Sequence, residues 1–133
     1  MIDRATFALT VHELSHAIAD ICNGARGITI VDEGEHWAQS AFGWPDDVRE
    51  EFFARSIAAG FLVGDHVSAQ DRFLLSVLPQ AAREDAAQWC LEHVKPILMQ
   101  IPPADVIRIA ETIAREGKIT MTRDEFVQYG LMD

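Results

Sequence analysis

The sequence predicts a mainly α (α+β) domain, with helices throughout and one short β-hairpin after the first helix. Three observations carry this. Apolar residues recur at three- and four-residue intervals over most of the chain. β-prone residues concentrate between positions 27 and 42. Caps, glycines and prolines punctuate the chain at helix-length intervals. At 133 residues the chain suits one core, so residues 1–133 are read as a single domain.

The elements follow in order. Asp3 is a candidate N-cap, and Phe7, Val11, Leu14, Ile18 and Ile21 recur at helical spacing up to an Asn23-Gly24 stop. The first helix therefore runs from about Arg4 to Cys22. Gly27 to Val31 is β-prone, Asp32-Glu33-Gly34 signals a turn, and Glu35 to Phe42 returns as a second strand. Gly43-Trp44-Pro45-Asp46-Asp47 is expected to open a second helix, carrying Val48, Phe52, Ile57, Phe61 and Leu62 and ending near Gly64. Ser68 with Asp71 reads as a cap for a helix bearing Phe73, Leu74, Val77 and Leu78. A long helix is expected from Ala81 to Met99, kinked or divided at Pro96. Pro102-Pro103 opens another, closed at Gly117, and Thr122 to Glu125 is a capping box for a short last helix.

The net charge of −10 argues against nucleic acid, because phosphate contacts need a basic patch. It also disfavours anionic membrane surfaces. No apolar run reaches membrane-span length, and Met1-Ile2-Asp3-Arg4 lacks a signal-peptide pattern, so a cytoplasmic protein is expected. The cysteines, Cys22 and Cys90, fit a reducing compartment as small apolar helix residues rather than as a disulfide.

The chemistry concentrates in His12-Glu13-Leu14-Ser15-His16, the pattern H-E-x-x-H. On a helix, positions i and i+4 lie on one face about a turn apart, so His12 and His16 can share one Zn²⁺. Glu13 projects beside the metal, where it can take a proton from the attacking water. Two unrelated surface histidines are the bland explanation. The buried apolar stripe along the same helix suits a zincin-like domain better.

A catalytic zinc needs a third protein ligand. Cys22 lies six residues beyond His16, but Ala19 stands where that arrangement needs a turning glycine. Glu50 or Glu51 could approach from the second helix, Asp71 from the next, and His36 or His66 from loops. Each also has an ordinary reading, as an exposed polar residue or, for Asp71, a capping acid.

The chain resembles the peptidase domain of the FtsH-type ATP-dependent metalloproteases, in the small stand-alone form of bacteria and phages. The matching pieces are His12 to Ala19, Gly24 to Val31, Ile57-Ala58-Ala59-Gly60 and Val67-Ser68-Ala69-Gln70-Asp71. The order of elements agrees over residues 3 to about 78. The resemblance implies Asp71 as third ligand, a Zn²⁺ cofactor and a peptide or protein substrate. This chain carries Val63-Gly64 where the family usually has a glutamate. A second resemblance, to the ImmA/IrrE group, rests on the same motif and on Glu50-Glu51-Phe52-Phe53-Ala54, and implies a regulatory protease acting on a repressor.

The expected function is therefore a zinc metalloendopeptidase, with His12, His16 and Asp71 as ligands and Glu13 as general base. A non-catalytic zinc-binding interaction module is the alternative, though Glu13 is superfluous there. The chain has no nucleotide-binding loop, so folded substrates would need a partner for delivery. Trp37 and Trp44 are candidates for a substrate groove, with core packing the commoner fate of tryptophans, and the hairpin edge is a candidate peptide-docking strand.

Overall fold

The computed structural model describes residues 2–62 and 69–132. The first helix, α1 (Arg4–Cys22), has the expected bounds. Asp3 caps it, its carboxylate accepting from the Thr6 amide at 2.7 Å. Leu14, Ile18 and Ile21 are fully buried, and Phe7 and Val11 pack against the same core. α1 is thus the central strut of the domain.

The strands β1 (Gly27–Asp32) and β2 (Trp37–Phe42) form the expected antiparallel hairpin, with Gly27 opposite Phe42 and Asp32 opposite Trp37. The Asp32 carboxylate accepts from the Gly34 amide at 2.9 Å and fixes the turn. The sheet has one strand more than expected. β3 (Lys118–Thr122) pairs antiparallel with β1, giving the order β2-β1-β3. β1 is therefore paired on both sides, and on the hairpin β2 keeps an outer edge unpaired among the described residues.

The second helix begins later than expected. Residues 43–49 are not helical, and α2 spans Glu50–Ala59. Both Asp46-Asp47 and Glu50-Glu51 could supply first-turn acids. Glutamate is the better helix former, and Asp47 instead accepts from the Arg49 guanidinium at 2.9 Å. A 3₁₀ turn follows over 60–62. The expected end near Gly64 and the expected cap at Ser68 lie outside the described residues. α3 (Ala69–Ser76) carries Asp71 in its first turn.

The expected long helix is divided rather than kinked, into α4 (Gln80–His93) and α5 (Lys95–Leu98). Pro96 has no N–H to continue α4 and fits the first turn of α5. α6 (Pro103–Glu116) opens and closes as expected, with Gly117 at φ +80 turning the chain directly into β3. The last helix, α7 (Arg123–Val127), has both hydrogen bonds of its capping box.

One core joins these elements. Ile28 and Ile30 of β1, Ile109 and Ile113 of α6 and Phe126 of α7 meet Leu14 and Ile18 of α1. The Arg123 guanidinium donates to the Ile21 carbonyl, tying the C-terminal elements to the end of α1. Cys22 and Cys90 are free thiols, as expected, and burial pushes them up to about 11 and about 12 respectively. No described helix is long and apolar enough to cross a membrane.

Candidate metal centre

α1 carries an unusual amount of buried polarity for a central strut. His12 is 4% exposed and Glu13 8%, and Ser15 and Asp20 are buried as well. The Ser15 hydroxyl is consumed locally, donating 2.5 Å to the His12 carbonyl. The imidazoles are not. They converge, with His12 Nε2 and His16 Nε2 3.2 Å apart and the rings at an edge-on 89°.

Asp71 completes the group from α3. Its Oδ2 lies 3.4 Å from His12 Nε2 and 3.5 Å from His16 Nε2. The three atoms form a nearly equilateral triangle. Zinc bonds of about 2.0–2.1 Å in tetrahedral geometry require ligand atoms about 3.3–3.4 Å apart. The sides of 3.2, 3.4 and 3.5 Å match one face of that tetrahedron. Two imidazoles and one carboxylate are also the donor set of a hydrolytic zinc site, leaving a fourth position for water.

Two features of α2 fit the imidazoles. The Ser56 carbonyl accepts from His16 Nδ1 at 2.5 Å, which fixes the tautomer and leaves the His16 Nε2 lone pair facing the triangle. Gly60 lies flat against both rings. A Cβ there would sit 2.6 Å from His16 Cε1, 2.7 Å from His16 Nε2 and 2.9 Å from His12 Cε1. Only glycine allows this approach. His12 differs from His16: its buried Nδ1 has no hydrogen-bond partner among the described residues.

The electrostatics agree with the geometry. Hydrogen bonds to His12 and His16 hold the Asp71 carboxyl well below the usual carboxylate range, outweighing its partial burial. For His16, burial favours the neutral ring, but Asp71, the Ser56 carbonyl and Glu13 together raise its affinity for a proton. A proton and a metal ion compete for that position. Burial raises the Glu13 carboxyl, moderated by His16 and His12 and reinforced by Asp71. A carboxylate made more basic by burial is a better proton acceptor than an exposed one.

The other candidate ligands are elsewhere. Glu51 is half exposed and faces Arg49 at 3.5 Å and Arg55 at 3.9 Å. Glu50 is exposed at the start of α2. Cys22 Sγ points to the His93 carbonyl. His36 is 69% exposed and pairs with Glu33 at 3.3 Å. His66 lies outside the described residues. Among the described residues, His12, His16 and Asp71 are the group able to hold a metal ion.

Sequence reasoning missed Asp20 and Gln39. Asp20 is four residues beyond His16 on the same face of α1 and accepts from Gln39 Nε2 of β2 at 2.9 Å. The repeated four-residue step from 12 to 16 to 20 was the available signal. Of the tryptophans, Trp37 packs against the core, Trp44 stacks on Phe52 beside a cleft, and Trp89 lies under the Arg55 guanidinium. No protein-family model, curated protein or solved structure matches the chain.

Proposed function

We propose that this chain is a zinc-dependent metalloendopeptidase, a small stand-alone relative of the FtsH-type peptidase domain. The observation that carries the reading is the triangle of His12 Nε2, His16 Nε2 and Asp71 Oδ2, whose sides of 3.2, 3.4 and 3.5 Å suit tetrahedral zinc. Asp71 is the residue that the FtsH-type resemblance implies as third donor, and its place in the triangle supports that reading over one with Glu50 or Glu51.

A bound zinc ion would acidify a water molecule and polarise the scissile carbonyl. The chain supplies the rest. His12 and His16 donate through Nε2, with His16 oriented by the Ser56 carbonyl. Glu13 takes the proton from the attacking water and returns it to the leaving amine, a role suited to its raised proton affinity. An extended substrate pairs along the outer edge of β2, which contacts α1. Free Cys22 and Cys90 suit a reducing, cytoplasmic setting.

The test is Glu13→Gln. The zinc content should match the parent by elemental analysis, while cleavage of an unfolded protein substrate falls at least about 100-fold, the scale of general-base catalysis. Undiminished cleavage by Glu13→Gln overturns the mechanism. Zinc-loaded parent protein that cleaves no unfolded substrate leaves the non-catalytic zinc module as the reading.

A further inference from the structure

A cleft of about 350 Å³ opens beside the triangle, between α2 and β2. Ser56 stands between the two: its carbonyl holds His16, and the residue also lines the cleft. Asp20, 7% exposed, supplies a carboxylate to this cleft one helical turn beyond His16. Gln39 Nε2 donates to that carboxylate at 2.9 Å. A carboxylate accepts about four hydrogen bonds, so capacity remains. The walls are aromatic: Trp44 and Phe52 stack with centroids 6.4 Å apart, and Phe53 is 58% exposed at the rim. Arg49 is the cleft's one cation among the described residues, and Asp47 at 2.9 Å and Glu51 at 3.5 Å neutralise it.

We propose, on the peptidase reading above, that this cleft is a specificity pocket for a long basic side chain of the substrate, arginine above lysine, with Asp20 receiving its terminus. Three properties select that occupant. A buried carboxylate with unused acceptor capacity rewards a charged donor, and a guanidinium can meet it with two parallel N–H groups. Aromatic walls stack on a guanidinium and shelter its aliphatic stem. Gln39 belongs to β2, the outer edge, so a strand paired there runs past the mouth of the cleft. The charge of −10 adds a long-range attraction for basic peptides.

The test compares one short peptide containing a single arginine with the same peptide carrying citrulline, its neutral isostere. Binding to zinc-loaded Glu13→Gln protein is measured by calorimetry, and cleavage by the zinc-loaded parent is followed alongside. The arginine peptide should bind at least about 10-fold tighter, the scale of a charge-assisted hydrogen bond. Asp20→Asn, added to the same background, should bring that ratio close to one with zinc content unchanged. Phe53→Lys, at an exposed site that tolerates the change, should lower it several-fold by placing a like charge at the rim. Equal binding of the two peptides, or a ratio untouched by both substitutions, overturns the pocket. Selective binding without cleavage sinks the peptidase reading and leaves the pocket standing. Cleavage with no preference for arginine sinks the pocket alone.

Discussion

The triangle is approached by two helices of opposite character. α2 reaches it from the core, with Ala54, Ile57, Ala58 and Ala59 buried. It contributes shape: a backbone carbonyl for His16 and the Cβ-free face of Gly60. α3 reaches it from the rim, with Arg72 and Ser76 exposed and Phe73 64% exposed. It contributes charge, through Asp71. The division has a physical basis. Packing precision comes from elements that cannot move. A carboxylate, by contrast, is costly to bury before its cation arrives, so it is better delivered from a partly solvated helix. The imidazoles are thereby pre-oriented by the core, and on the proposed reading Asp71 would supply the anionic donor from the rim.

Removing ligands tests this most severely. His16→Ala deletes a donor and also its link to Ser56, and zinc affinity should fall by more than the roughly 10–100-fold that loss of an outer-shell partner alone produces. Asp71→Ala should also weaken zinc substantially, yet leave the melting behaviour of chelator-treated protein close to the parent, since α3 lies on the rim. Competitive chelator titration reads both. Parent-like zinc affinity in Asp71→Ala would mean that the third donor comes from elsewhere, and the contrast between the two helices would collapse.

Gly60→Ala probes the core side. The added methyl meets both imidazoles within 2.9 Å, so either the rings or α2 must shift. Overpacking of this kind costs about 1–3 kcal/mol, measurable by urea denaturation, and zinc affinity should fall with it. A neutral effect would show that the α1–α2 contact is slack.

Much of the first half of this structure was legible in the sequence. Asp3, the stripe from Phe7 to Ile21 and Asn23-Gly24 define α1 by local rules, so its bounds could be read residue by residue. The pair His12 and His16 followed from the same periodicity. Asp71 did not: its approach depends on how α3 folds back, which local spacing does not encode, and only the family resemblance singled it out. β3 was missed because Lys118 to Thr122 is five residues long and its apolar members, Ile119 and Met121, alternate only once. Its strand identity comes from pairing with β1, a long-range contact. The late start of α2 was missed because two acidic pairs competed for the same first turn.

Chelation should separate the two helices without any substitution. With zinc removed, amide exchange in α3 should accelerate relative to the zinc-loaded protein, while α1 and α2 keep their protection, because α3 loses the ion that joins its carboxylate to the imidazoles. Uniform loss of protection across all three helices would make the site a single cooperative unit with the core.

The smallest expected effect lies in the pH dependence of the chelator-treated protein. Burial opposes protonation of His16, but Asp71 and the Ser56 carbonyl outweigh it, so the folded state binds that proton more tightly than the unfolded chain does. Its stabilisation is fully present below the unfolded value of about 6.5 and is lost as pH rises through the folded value. Asp71 has the opposite sign. Its folded carboxyl is held low by His12 and His16, so its contribution is present above about 3.9 and is lost as pH falls further. Both contributions coexist between about pH 4 and 6.5. The melting temperature in chelator should therefore be highest in that window and decline by a few degrees towards pH 8, an order set by about 1 kcal/mol in a domain of this size. Zinc reverses the upper limb, because it binds the deprotonated imidazoles and its stabilisation grows as the competing proton leaves. A chelator-treated protein that gains stability steadily from pH 5 to 8 would mean that Asp71 and His16 share no proton, and that α3 docks only when the ion draws it in.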